Sequence, residues 1–282
     1  MKKNGLKILK VFGITAIFLY TIACALFYTN QERLLFFPTK VAAQHQFDFE
    51  EPFQEIDITA SDDVVLNNIL FKSDSSKGVI LYLHGSGGSL KEWGNAASVY
   101  TNLSYDVFMT DYRGYGKSEG SISNEDQIHE DIQVVYNEVK KRYSEDKIIV
   151  LGYSLGSTLA AKVASRNNPG KLILQAPFYN CPYSLNHYIK SGKSPALSLL
   201  RIFPISPLLK YKFRTDEFIQ DCKMPIVIFH GANDNIIHYG SSLKLQEHFK
   251  PNDRLIKLMG QGHTGITKNQ DYLIELKEVL KR

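Results

Sequence analysis

At 282 residues, 44% hydrophobic and 22% charged, the chain is long enough for one substantial globular domain and too short for two full ones. A formal net charge of +4, partly owed to lysines near the N-terminus, gives no basis for a polyanion-binding surface, so no nucleic-acid partner is expected. Three cysteines, Cys24, Cys181 and Cys222, are too few for a disulfide scaffold and lack metal-ligand spacing. Neither a metal nor a cofactor is expected, and pairing of Cys181 with Cys222 stays open.

Lys2, Lys3, Lys7 and Lys10 precede an uncharged run, Val11 to Tyr28, close to the length a helix needs to cross a bilayer. The run has no polar face, unlike an ordinary domain helix. It is also longer than the apolar region of a usual cleaved signal, which favours a retained anchor. Residues 1–30 are therefore expected to hold cytoplasmic lysines and a single membrane-spanning helix. The positive-inside rule then puts the remainder on the non-cytoplasmic side. Ala23-Cys24 also resembles the end of a lipoprotein cleavage signal, although Thr21 stands where leucine is usual. Residues 31–52 read as a linker, with "QERLLFFPTK" suited to the membrane interface and Pro38 ending any helix.

From residue 53 to 282 the pattern is that of one domain. Phe53 to Thr59 and Val65 to Phe71 predict an antiparallel hairpin. "GVILYLHG", "YDVFMTDYRG", "DKIIVLGYS", "GKLILQAP", "MPIVIFHG" and "DRLIKLMGQGH" are near-continuous apolar runs of the kind that parallel strands covered on both faces require. Helices are expected over Leu90–Leu103, Asn124–Arg142 with Ser123 as N-cap, Ser154–Asn167, Ser241–Phe249 and Gln270–Lys281. Alternation of strand and helix predicts an α/β fold, a mostly parallel doubly wound sheet. Between Gln175 and Pro225 lies an unusually long connection, with an apolar, proline-broken insert at about 178–215. It reads either as a lid, in which Leu199, Leu200 and Phe203 would contact an acyl chain, or as a helical excursion on the domain's flank.

In such sheets the site forms at the carboxyl ends of the strands. There the sequence puts His84-Gly85-Ser86-Gly87-Gly88, Asp111-Tyr112-Arg113-Gly114, Tyr153-Ser154-Leu155, Asp234 and His263. Gly152-Tyr153-Ser154-Leu155-Gly156 is a GxSxG motif between a strand and a helix, where a tight turn exposes the serine oxygen at the helix N-terminus. The helix dipole and the free amide of Leu155 favour negative charge developing there. Asp234 and His263 follow in the order Ser, Asp, His, so His263 can serve as general base and Asp234 can fix its tautomer. Tyr153 is a candidate substrate contact. His84 is expected to prop its loop, and Asp111 and Arg113 to hold a turn. Asp253 and Asp271 are rival acids that do not directly follow a strand. His230, Asp234 and His238 do not make a convincing metal cluster.

"LYLHGSGGS", "DYRGYGKSEG", "GYSLGS", "HGANDNII" and "GQGH" make the chain resemble the α/β-hydrolase superfamily. More narrowly, it resembles the membrane-anchored, single-domain members of the serine-aminopeptidase-like and dienelactone-hydrolase-like branch. The resemblance implies a nucleophile at Ser154, an acid at Asp234, a base at His263 and oxyanion-holding amides at Ser86 and Leu155. Many relatives carry asparagine where this chain has Ser86 or Thr264, departures that bear on substrate preference. The expected function is a membrane-anchored serine hydrolase cleaving small or lipid-derived carboxylic esters or thioesters through an acyl-enzyme. Two alternatives remain: a catalytically silent binding module on the same fold, and a serine peptidase, for which the insert offers no acidic cluster to hold a peptide amine.

Overall fold

The computed structural model describes residues 2–190, 192 and 205–281. Helix α1 (Lys2–Thr29) includes the stretch Lys7–Thr29, which is long and apolar enough to cross a membrane and is not buried against the rest of the chain. Helix α2 (Gln31–Leu35) and the short strand β1 (Phe37–Pro38) follow. The stretch expected to be a linker is thus partly docked on the domain, because buried Gln31 and Phe36 tie it down.

The hairpin β2 (Phe53–Thr59) and β3 (Val65–Phe71) is antiparallel, with Phe53 opposite Phe71. Strand β4 (Val79–Leu83) leads into a loop that holds a second short strand, β5 (Gly87–Gly88). Strands β6 (Asp106–Thr110), β7 (Ile148–Tyr153), β8 (Lys171–Gln175), β9 (Ile226–Gly231) and β10 (Arg254–Leu258) complete the sheet. Its eight strands run in the order β10-β9-β8-β7-β4-β6-β3-β2. From β10 to β6 all pairings are parallel.

Side chains alternate between the two faces, as the pleat demands. Val79, Leu81, Leu83, Val150, Leu172 and Ile228 pack against helices α5 (Glu125–Lys140) and α6 (Leu155–Arg166) through Ile132, Val135, Leu159 and Val163. Ile80, Tyr82, Leu151, Ile173 and Phe229 pack on the other side against Tyr100, Tyr272, Leu276 and Val279. The latter three belong to the C-terminal helix (Gln270–Lys281). Strands β4, β6, β7 and β9 are buried along their whole length, which explains their unbroken apolar sequences. Edge strand β10 is only partly covered and keeps polar Lys257.

Two predicted helices differ in detail. Leu90–Leu103 is split into α3 (Leu90–Trp93), a 3₁₀ turn at Gly94–Ala96 and α4 (Ala97–Thr101). The interruption falls at Gly94, where the ring of Phe49 fills the space a side chain would take. Helix α5 is capped by Asn124, not Ser123, because extended Asn124 accepts the Gln127 N–H at 2.8 Å. The long connection contains α7 (Cys181–Lys190), α8 (Ile205–Leu208) and α9 (Thr215–Asp221). Leu199, Leu200 and Phe203, the candidate acyl contacts, lie outside the described residues. Helix α10 (Gly240–Gln246) follows β9.

Strand β4 sits between β6, which follows it, and β7, which the chain reaches by crossing to the other side. This reversal opens a crevice beyond the carboxyl ends of β4 and β7.

Candidate active site

Strand β7 ends at Tyr153 and helix α6 begins at Leu155, leaving Ser154 alone at the turn with φ 52° and ψ −115°. This conformation is costly for a residue with a side chain, and it turns the hydroxyl out of the strand. The neighbouring glycines make the turn possible. A Cβ on Gly152 would lie 2.2 Å from the carbonyl oxygen of Gly156, and one on Gly156 would lie 2.0 Å from that of Leu83. Any larger residue at either position would push the helix off the sheet.

The loops after β9 and β10 bring Asp234 and His263 to this serine. His263 Nε2 lies 3.1 Å from Ser154 Oγ, and its Nδ1 lies 2.7 Å from Asp234 Oδ2. Since Nδ1 faces a carboxylate it carries the hydrogen, which leaves Nε2 as the acceptor for the serine O–H. Asp234 Oδ1 accepts the N–H groups of Ile236 at 2.9 Å and Ile237 at 2.8 Å. Burial alone would raise this carboxyl, but hydrogen bonds from His230 and His263 outweigh it and hold Asp234 well below the usual carboxylate range. An aspartate kept ionised beside Nδ1–H stabilises the imidazolium that forms when Nε2 takes a proton.

His230 is a residue the sequence did not single out for this role. Its Nε2 lies 2.9 Å from the Ile237 carbonyl and 3.3 Å from Asp234 Oδ2, both acceptors, so Nε2 carries the hydrogen. Its Nδ1 is 2.7 Å from Ser242 Oγ. The available signal was its place at the end of β9, four residues before Asp234, which in sequence suggested only a weak metal cluster. Tyr153, the candidate substrate contact, is 5% exposed, and its hydroxyl donates to the His263 carbonyl at 2.5 Å, so it braces the histidine's loop.

The loop after β4 faces Ser154 across the crevice, and its consecutive carbonyls are tied from behind. His84 O accepts the Tyr112 hydroxyl at 2.7 Å, and Gly85 O accepts His84 Nδ1–H at 2.7 Å. Ser86 O accepts both the Phe37 N–H at 2.8 Å and the Tyr115 hydroxyl at 2.7 Å. Gly87 O accepts the Trp93 indole N–H at 2.8 Å, and Gly88 O accepts the Thr39 N–H at 2.9 Å. Among the described residues, no acceptor takes the N–H of Ser86 or of Leu155.

The chain is similar to proteins named as hydrolases, lipases and esterases. A family model described as "Serine aminopeptidase, S33" matches residues 74–206. Lysophosphatidylserine lipase ABHD12 of Macaca fascicularis is 29% identical over 61% of this chain and 45% of its own length. The alpha/beta hydrolase domain-containing protein 17C of Xenopus tropicalis is 27% identical over 74% of this chain and 63% of its own. The chain therefore spans about half the length of the lipase-named relatives it matches. Among solved structures, an esterase of Pyrococcus furiosus superposes with a TM-score of 0.67 at 20% identity, covering 88% of this chain and 97% of its own. An alpha-beta hydrolase from Vibrio vulnificus superposes at 0.66, with 19% identity over 81% of this chain and 80% of its own. The chain has the α/β-hydrolase fold.

In this fold the rival residues have other partners. Asp253 binds the Ile226 N–H at 2.8 Å and the Lys250 ammonium at 2.8 Å, which staples the start of β9 at the opposite end from Ser154. Arg113 is clamped between Asp131 and Asp62, holding the turn after β6. Asp271 opens the C-terminal helix. Cys181 and Cys222 are free, buried thiols, and burial pushes both up to about 12.

Proposed function

We propose that this α/β-hydrolase is a serine hydrolase of the esterase and lipase type, cleaving carboxylic esters or thioesters through an acyl-enzyme on Ser154. Ser154 Oγ attacks the acyl carbon while His263 Nε2 takes its proton, and the tetrahedral oxyanion is held by the N–H groups of Ser86 and Leu155. The carbon–oxygen or carbon–sulfur bond then breaks, and the Nε2 proton passes to the departing alkoxide or thiolate. In the second half a water molecule repeats the attack on the acyl-enzyme and returns Ser154 to its hydroxyl form. The observation that carries this reading is the 3.1 Å approach of His263 Nε2 to a serine oxygen on a strained strand-to-helix turn.

The substrate is proposed to be a lipid-derived ester. The apolar helix at Lys7–Thr29 and the lipase-named relatives support it. In this reading residues 1–30 anchor the enzyme, Lys2 to Lys10 stay in the cytoplasm, and the domain from residue 53 onward works on the other side, beside the bilayer. The test is turnover by the full chain in detergent micelles of p-nitrophenyl esters of increasing acyl length. Medium-chain esters should be cleaved faster than acetate, since each buried methylene contributes up to about 0.8 kcal/mol. Ser154→Ala should abolish turnover of every ester. Activity confined to peptide substrates, or no dependence on Ser154, would overturn the proposal.

A further inference from the structure

The segment between the apolar helix and the domain is joined to the loop that carries the Ser86 N–H. Strand β1 (Phe37–Pro38) pairs in parallel with β5 (Gly87–Gly88), and the contacts are main chain to main chain: Phe37 N–H to Ser86 O, and Thr39 N–H to Gly88 O. Pro38, which has no N–H, falls between the two donors, so the ladder loses nothing by it. On its other edge the same segment exchanges bonds with Gly116, whose N–H donates to Thr39 O at 3.0 Å and whose carbonyl accepts the Val41 N–H at 3.1 Å.

Upstream, the segment is held just as firmly. Gln31, 1% exposed, donates to the Leu208 carbonyl at 2.7 Å and accepts the Lys210 N–H at 2.9 Å. Glu32 binds both the Lys210 ammonium and the Tyr211 hydroxyl at 2.9 Å. Phe36 packs edge-on against Tyr211, with ring centroids 5.2 Å apart. Between these clamps and the end of α1 stands only Asn30.

We propose that Phe37 and Thr39 are positioning residues, whose main-chain N–H groups form a strap that aims the oxyanion loop at Ser154. The inference rests on the hydrolase reading above and deepens it. A peptide plane is rigid, so a bond to one carbonyl also orients the N–H of the next residue. Two planes meet at Ser86. The Gly85–Ser86 plane carries the Ser86 N–H and is held by His84. The Ser86–Gly87 plane is held by Phe37 together with Tyr115. With both planes fixed, the Ser86 N–H cannot swing away from the crevice. Removing the strap leaves the Ser86–Gly87 plane to Tyr115 alone and frees the Gly88–Ser89 plane that Thr39 holds, so the loop carrying the Ser86 N–H loosens, and a misaimed donor stabilises the tetrahedral oxyanion poorly while leaving the ground-state ester bound.

The test uses the full chain in detergent micelles with a short, soluble ester. Phe37→Pro deletes one N–H, and the extended backbone of Phe36, φ −119° and ψ 125°, accommodates a following proline. Phe37→Ala keeps the N–H and loses only an exposed ring, and Thr39→Pro with Thr39→Ala repeats the comparison at Gly88. Each proline variant should lose at least about tenfold in kcat relative to its alanine counterpart, with KM changed less than about twofold. Its preference for an oxoester over the matching thionoester should shrink too, because that preference depends on the oxyanion donors. Labelling of Ser154 by a fluorophosphonate should persist in all four variants. Equal kcat in the proline and alanine variants, a change confined to KM, or failure of both proline variants to fold by circular dichroism would overturn the positioning role. A wild-type chain that neither labels nor turns over ester would show instead that the hydrolase reading itself had failed.

Discussion

His263 with Asp234 and His84 with Asp111 are two buried histidine–carboxylate pairs at the ends of strands of one sheet, and they are wired in opposite senses. Asp234 receives two main-chain N–H groups and two histidines, and the donors hold its carboxyl low against its burial. Among the described residues, Asp111 receives one main-chain N–H, from Leu90 at 2.9 Å, with His84 Nε2 at 3.5 Å, and its other oxygen has no hydrogen-bond partner. Burial dominates there and pushes the carboxyl up. The second ring nitrogen differs as well. In His263 it faces the hydroxyl of Ser154, whereas in His84 it donates to the Gly85 carbonyl while the ring lies 4.2 Å from that of Tyr112. Residue type and burial are alike in the two pairs. What separates the proposed base from a prop is the number of donors on the carboxylate and what the second ring nitrogen meets.

That contrast can be broken at either pair. Asp234→Asn should lower kcat by up to about four orders of magnitude, because an amide no longer fixes the tautomer or supports the imidazolium. His84→Phe, which keeps ring stacking and removes the donor to Gly85 O, should cost about ten- to a hundredfold in kcat, as expected for a loosened oxyanion donor. Gly116→Ala should destabilise the fold by more than about 1 kcal/mol, and any kinetic loss that accompanies it should fall on kcat, because the added Cβ disturbs Asp111 and the Thr39 segment. The Gly116 backbone is left-handed at φ 46°, and a Cβ there would lie 1.9 Å from Asp111 Oδ2. Thermal unfolding and ester turnover on the same preparations separate these outcomes.

The smallest effects concern pH, and the two carboxylates should respond with opposite sign. Folding depresses Asp234, so its contribution to stability is complete above its ordinary value of 3.8 and is lost as pH falls below it. Asp234→Asn should therefore flatten the loss of stability in acid. Folding raises Asp111, so its contribution is present below 3.8 and is lost as pH rises through its elevated value. Asp111→Asn, which imitates the protonated form, should reduce the decline in stability on going from acid toward neutral pH. Melting temperatures of the variants across pH 3 to 7 check both signs.

Much of the fold was legible because β4, β6, β7 and β9 are covered on both faces and so have no polar positions to blur the pattern. The meeting of Ser154, Asp234 and His263 was legible for a related reason: each directly follows a strand or a strand-end turn, and the parallel sheet gathers those ends. The strap was not legible. Its bonds join main-chain groups of Phe37 and Thr39 to those of Ser86 and Gly88, and such bonds leave no side-chain pattern, so "QERLLFFPTK" read only as an interfacial linker. His230 was missed because its partner, the Asp234 carboxylate, lies on a turn whose shape the spacing alone does not give. The brace that Tyr153 supplies was not legible either, because the spacing does not show that its ring packs against Trp93 and its hydroxyl reaches the carbonyl of His263.

The most direct measurement is the site of covalent attack by a fluorophosphonate, mapped by mass spectrometry on the full chain in micelles. A single stoichiometric adduct on the peptide containing Ser154 is expected, absent in Ser154→Ala and formed far more slowly in Asp234→Asn. A folded wild-type chain that remains unlabelled, or an adduct on any serine other than Ser154, would contradict the assignment of nucleophile and base.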